Sequence, residues 1–372
     1  MPSMPTCSTL LSRDAARIAR YAAQADTGRW LHPVQQALVH RRGWLRMLAP
    51  RAVGGAELDL PEVVRLEEAL ARVDGSMAWT VTLCAGAGWF AGFLPPALAR
   101  EILATRRVCL AGSGAPTGVA EREGEGWRIT GCWDYASGAP MATHFTFNAV
   151  LREHGQALLD AAGNPLVSAF VVPAELVEMV PAWRSIGLRA TASHSYRVQH
   201  QWVHADHGFE IDASRAHAQG PLYRFPFLAF AFVTLSANVA GMAAHFVELA
   251  EECIARRRNR FGGSGEPLIE VPAVRALLDR TRAELAARRA DFYGALDAAW
   301  SHVAAGGSVD EAEAARLQAL SMAWVNASRR AVDLLYPYCG LYAAREDSEI
   351  NRVWRDFHTA SQHALLMPTS QS

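Results

Sequence analysis

Apolar residues in the first part of the chain recur at three- and four-residue spacing, the period of a helix packed on one face. The clearest case runs over 61–70. Pro61 stands in its first turn, Asp59 precedes it as a cap, and Asp74-Gly75 marks its end. Gly54-Gly55 upstream predicts a turn. From about residue 108 the period shortens, and the segments 108–111, 127–130, 143–151, 166–172 and 196–203 are β-branched or aromatic runs edged by Gly or Pro, hence strands. After about residue 220 helical periods return. One helix is predicted over 272–300, and a capping box at Ser308-Val309-Asp310-Glu311 opens another. Helices, then strands, then helices make an α+β chain, divided into 1–107, 108–214 and 215–372. No G-x-G-x-x-G follows a strand, so a Rossmann dinucleotide unit is not supported.

The segment 352–363 reads as a last helix containing Trp354, Arg355, Asp356, His358 and His363. On helical spacing Asp356 and His363 share a face with Thr359 between them. Such a polar stripe is either a solvated last turn or a buried site where something binds, because burying it unpartnered is costly.

Composition narrows the field. The chain has 372 residues, 51% of them hydrophobic, enough for a sizeable core. Its net charge is -1 and it has no basic run, which argues against a nucleic-acid partner. The six cysteines (Cys7, Cys84, Cys109, Cys132, Cys253, Cys339) show no C-x-x-C or metal-ligand spacing and read as buried thiols in a reducing compartment. Without a signal-peptide pattern or an 18-residue apolar run, a cytoplasmic protein with no membrane segment is expected. His200, His204 and His207 lack the carboxylates of a metal centre and read as a solvated edge. Trp79, Trp89, Phe90 and Phe93 either line an apolar substrate pocket or form plain core.

Four segments, in this order, resemble the acyl-CoA dehydrogenase superfamily. They are Leu48-Ala49-Pro50 to Gly54-Gly55 with Glu67 to Trp79; Ala111 to Ala120 with Trp133-Asp134-Tyr135-Ala136-Ser137-Gly138; Gly187-Leu188-Arg189-Ala190-Thr191-Ala192-Ser193-His194; and the Trp354-Arg355-Asp356 helix. The resemblance implies an N-terminal helical domain, a middle β-barrel or sandwich domain and a C-terminal four-helix bundle. It also implies a homotetramer and a flavin lying between the β domain and the bundle. It puts the Ser137 hydroxyl near flavin N5, where a hydroxyl suits because it can donate or accept, and Tyr135 beside the ring.

Two departures from the family pattern choose a branch. A dehydrogenase needs a carboxylate to take the substrate's α-proton. The position nine residues after Arg355 is Ala364, and the alternative position, counted back from Arg258-Asn259-Arg260-Phe261-Gly262, is Ala231. The turn that in the family binds the adenylate half of FAD reads Pro337-Tyr338-Cys339-Gly340-Leu341-Tyr342-Ala343-Ala344, with Gly340 kept and other glycines lost, and the position where a Gln is expected falls at or close to Ile269. Arg258 still matches the residue that pairs with phosphate. FMN is favoured and FAD is possible. Both departures resemble the two-component flavin monooxygenases, in which a histidine nine residues after the Trp, here His363, helps form and protect a C4a-hydroperoxyflavin. His358 is a substrate-side candidate or a core histidine, and Trp89 a candidate pocket wall. The resemblance thus implies a monooxygenase that takes reduced flavin from a separate reductase and oxygenates a small aromatic or apolar molecule. An FAD-dependent acyl-CoA dehydrogenase and a catalytically silent ligand-binding protein are the alternatives.

Overall fold

The computed structural model describes residues 9–259 and 265–368. Cys7 and the Arg260-Phe261-Gly262 part of the Arg258 motif lie outside the described residues. The first helices are α1 (Ser12–Gly28), α2 (Pro33–Arg42), α3 (Leu60–Ala71), α4 (Gly75–Trp89) and α5 (Pro96–Ala104). Asp59 precedes α3, but its side chain makes no capping hydrogen bond. Asp74 instead caps α4, accepting from the Met77 N–H at 3.2 Å. Helix α4 is buried on nearly all sides, as its uniformly apolar and small residues require.

Eight strands follow: β1 (Leu110–Glu123), β2 (Gly126–Ala136), β3 (His144–Glu153), β4 (Gln156–Ala157), β5 (Val167–Pro173), β6 (Glu178–Val180), β7 (His194–His204) and β8 (Gly208–Phe209). They form one sheet in the order β6-β7-β2-β1-β3-β5-β8, with β4 beside β3, rather than two facing sheets. Strand β1 runs through the Gly-Ser-Gly-Ala-Pro-Thr-Gly segment, which carries no strand pattern. A register shift between Ser113 and Gly118 accommodates it. Strands β7 and β3 stand three places apart, roughly 14 Å in a flat sheet. Yet the Tyr196 and Phe145 rings lie 4.7 Å apart and the Tyr196 hydroxyl donates to Thr146 O at 2.8 Å. The sheet is therefore curled, barrel-like, around Trp133, Phe147, Phe170 and Tyr196.

The remaining helices are α6 (Phe227–Arg256), α7 (Pro272–Ala304), α8 (Glu311–Cys339) and α9 (Glu349–Ala360). The cap of α8 is Asp310, which accepts from the Glu313 N–H at 2.8 Å, not the Ser308 that the capping-box pattern selects. Helix α6 contains an 18-residue window with mean hydropathy 1.8, so the sequence does hold a run apolar enough to span a membrane; 78% of that window is buried in the fold. That is the composition of a core helix.

Helix α9 ends at Ala360, so His363 lies beyond it and does not share a helical face with Asp356. What α9 does is fasten three parts of the molecule together. Arg355 makes a two-pronged pair with Asp26 of α1 (3.2 and 2.7 Å) and donates to Ile186 O at 2.6 Å. Asp356 accepts from the Leu188 N–H at 2.5 Å. Gly187 sits between these contacts, where an added Cβ would come within 1.9 Å of Arg355 O. No side chain fits against a backbone carbonyl at that distance. Gly187→Ala is expected to lower stability by about 1–3 kcal/mol, read as a reduced urea midpoint; an unchanged midpoint would show that the clasp tolerates the insertion.

Candidate active site

The loop held by α9 leads directly to the end of β2. Tyr135 adopts a left-handed φ of 68° between the paired positions Trp133 and Ala136, where the ladder slips register. A tyrosine in that conformation is strained, and the strain turns its ring outward. The side chain is 72% exposed and meets Trp183 edge-on at 6.1 Å. Gly138, at φ 76°, completes the turn against α4, where a Cβ would meet Cys84 Sγ at 3.0 Å and Thr80 Cγ2 at 3.2 Å.

Ser137, between them, is buried and bonded to Ser193 Oγ at 2.9 Å. Ser193 Oγ is in turn 2.7 Å from Thr191 Oγ1, and Thr191 donates to Leu188 O at 2.8 Å. That carbonyl belongs to the same residue whose N–H binds Asp356. The Thr191 and Ser193 hydroxyls lie inside the Gly187–His194 motif, yet nothing in the sequence marks them as site residues.

His363 caps the short turn Ala364–Leu366, its Nδ1 accepting from the Leu365 N–H at 3.3 Å. An accepting Nδ1 leaves the proton of the neutral ring on Nε2. Burial pushes the imidazole below its ordinary range, so the neutral donor form dominates at neutral pH. Trp79 packs edge-on to this ring at 5.9 Å. Trp79 and Thr80 are neighbours on α4, so one helix supports both His363 and the Ser137 turn. Arg329 of α8 holds the segment from behind, donating to Ser361 O and Leu366 O at 2.7 Å each.

The other candidates divide. Trp89 is almost fully buried, stacked on Phe230 at 4.9 Å with its Nε1–H donated to Leu222 O, which makes it core first. It also forms one wall of a cleft of about 430 Å³ bordered by Phe93, Tyr223 and Phe227. His358 packs on Trp354 at 4.4 Å with Nε2 3.4 Å from Asp333 of α8, which makes it a bundle-packing histidine rather than a pocket wall. Gly340 has φ 69°, and the space above it is taken by the Arg257 guanidinium, 2.6 Å from where a Cβ would stand. The need for glycine there is met by the chain itself, not by a ligand. Arg258 is exposed beside that turn and donates to Gly265 O at 2.8 Å. The three histidines at the sheet edge are separately engaged: His200 with Thr130, His204 with Asp206, His207 with Val171 O.

Comparison with known proteins fits this geometry. Residues 233–368 match the family model described as acyl-CoA dehydrogenase, C-terminal domain. The indole-3-acetate monooxygenase of Pseudomonas putida is 26% identical over 98% of this chain and 91% of its own length. Among solved structures, the HsaA monooxygenase of Mycobacterium tuberculosis superposes with TM-score 0.85 at 21% identity, covering 96% of this chain and 92% of its own. XiaF from Streptomyces, solved with FADH2 and glycerol, gives 0.86 at 22%, covering 95% and 89%. The family model thus matches the C-terminal part of the chain, and the fold of these structures extends over nearly all of it. The two positions to which the resemblance assigns a dehydrogenase base are Ala364, in the turn His363 caps, and Ala231, beside Phe230 on α6.

The buried carboxyls nearby are of another kind. Burial, reinforced by Asp74, pushes Asp356 up to about 7 despite its Leu188 hydrogen bond; burial also pushes Glu67 up to about 8. Each binds its proton more tightly folded than unfolded, so each withdraws stability as pH rises, from about 4 through 7 for Asp356 and through 8 for Glu67. Asp356→Asn keeps an acceptor for Leu188 while removing one of these two titrations. Its stability is expected to fall less steeply than the parent's between about pH 5 and 7, in urea unfolding followed across that range. An identical slope would mean that Asp356 is ionised throughout.

Proposed function

We propose that this protein is the oxygenase component of a flavin-dependent monooxygenase, acting on a small aromatic or apolar substrate with reduced flavin and O2. What supports the choice is that both positions the resemblance gives a proton-abstracting carboxylate are alanines, while His363, neutral and with its proton on Nε2, packs on Trp79 of the helix that also backs the Ser137 turn. The residues present suit a flavin ring. Ser137 offers a buried oxygen with lone pairs to spare, Tyr135 is an exposed aromatic held in a strained conformation beside it, and the Gly138 turn leaves no side chain in the way. Bound reduced flavin supplies the two electrons that activate O2.

In this reading Ser137 orients the ring and His363 donates or holds a proton through Nε2 at the oxygen that departs as water. Helices α4 and α6 keep solvent out, which limits loss of oxygen equivalents as hydrogen peroxide. Arg258 is the residue for the flavin phosphate. Its neighbour Gly340 is occupied by Arg257, which supports FMN at least as well as FAD. The aromatic cleft at Trp89 begins five residues past Cys84, roughly 7.5 Å along α4, and is the candidate entry for substrate. The names of the relatives support the reading: HsaA is called an oxygenase subunit and the Rhizobium resorcinol hydroxylase an FADH2-dependent oxygenase component. A component of that kind takes its flavin from a separate reductase. We further propose a homotetramer, in keeping with the exposed Leu341 and Tyr342 beside Gly340.

With a flavin reductase supplying FMNH2 and a panel of indoles and phenols under ¹⁸O2, the protein is expected to put one labelled oxygen into product. His363→Ala is expected to slow product formation by roughly 10²-fold while peroxide release rises. Unlabelled product, or a variant as well coupled as the parent, would count against the assignment.

A further inference from the structure

The hydroxyls behind Ser137 have a direction. Thr191 has one hydroxyl proton, and the Leu188 carbonyl, which has none to give, receives it at 2.8 Å. The 2.7 Å contact between Thr191 and Ser193 must then use the Ser193 proton. The 2.9 Å contact between Ser193 and Ser137 must in turn use the Ser137 proton. All three side chains are buried, Thr191 completely, so no solvent proton reverses the order. The carbonyl at the end is fixed as well, since Leu188 is tied by its own N–H to Asp356 and its oxygen also accepts from Trp183 Nε1 at 2.9 Å. Ser137 is left as an acceptor only.

We propose that the Thr191–Ser193–Ser137 chain makes the site selective for reduced over oxidised flavin, with Thr191 and Ser193 as the specificity-determining residues. The inference rests on the flavin reading above. Reduced flavin carries a proton on N5 and oxidised flavin presents a lone pair there. An acceptor-only Ser137 satisfies the first and opposes the second. For Ser137 to turn and donate to oxidised N5, it must abandon Ser193 and leave a buried oxygen short of a donor. The hydroxyl therefore does not serve both redox states equally, as a freely rotating one would.

The test is the ratio of dissociation constants for oxidised and dithionite-reduced flavin, measured anaerobically with FMN and with FAD. The parent is expected to bind the reduced form more tightly, and its bound flavin to have a potential above that of free flavin. Thr191→Val frees the Ser193 proton to point at Ser137, and Ser193→Ala frees Ser137 to rotate. Each is expected to lower the ratio by roughly five- to tenfold. Thr191→Ser, which keeps the hydroxyl, is expected to keep the ratio. A parent that binds both forms equally, or with an unshifted potential, overturns the proposal while leaving a flavin site in place. So do folded Thr191→Val and Ser193→Ala proteins that keep the parental ratio. A parent that binds neither form overturns the flavin reading and this inference with it.

Discussion

The hydrogen bond from the Leu188 N–H to Asp356 is the constraint on which the site depends. Its donor lies in the loop before β7 and its acceptor on the last long helix. The adjacent Arg355 reaches Asp26 near the start of the described chain. Three segments far apart in sequence are thus joined within two residues. A buried pair such as Arg355–Asp26 adds little net stability when intact, but losing one partner costs about 3–5 kcal/mol because the other charge is stranded. Such a clasp specifies an arrangement more than it strengthens it. Here it specifies the position of the Leu188 carbonyl, from which the order of the hydroxyls up to Ser137 follows.

The same region shows how burial sets the protonation of its side chains. Burial holds Glu67 largely neutral near pH 7 and brings Asp356 to about half protonation there, which reduces the stranded charge in the interior. His363 is kept neutral by burial too, and its accepting Nδ1 aims the remaining proton outward from Nε2. Proton donors and acceptors are therefore fixed by packing and hydrogen-bond direction, and reorganise little when a ligand arrives. At the two positions where the resemblance implies an ionised carboxylate, Ala364 and Ala231 carry neither a base nor its desolvation penalty.

Much of this is legible in the sequence, for identifiable reasons. Strong periodicity marks α7 over nearly its whole length, and β-branched runs mark β3, β5 and β7 to within a residue or two. The Tyr135–Gly138 turn is visible as a short motif, and the structure makes a turn there; His363 is singled out by motif spacing alone. Other features are hidden. Strand β1 passes through a Gly-, Ser- and Pro-rich stretch, and its pairing with β2 and β3 overrides local preference. The choice of Asp310 over Ser308 as a cap depends on where the chain first turns helical, which neighbouring packing decides. His363 leaves the α9 face because the helix stops three residues earlier, and His358 leaves the pocket because Asp333 and Trp354 claim it. Asp356 has the look of a polar residue in need of a ligand; its partner is a backbone N–H 168 residues away, a pairing no local pattern reveals.

The most direct measurement is anaerobic. Protein loaded with oxidised flavin is mixed with acyl-CoA thioesters of short, medium and long chain, and the flavin absorbance is followed. A site without a carboxylate base, built for reduced flavin and O2, leaves the oxidised spectrum unchanged with every thioester. Bleaching of the flavin by any of them would mean that a base is present after all, and would return the protein to the dehydrogenases.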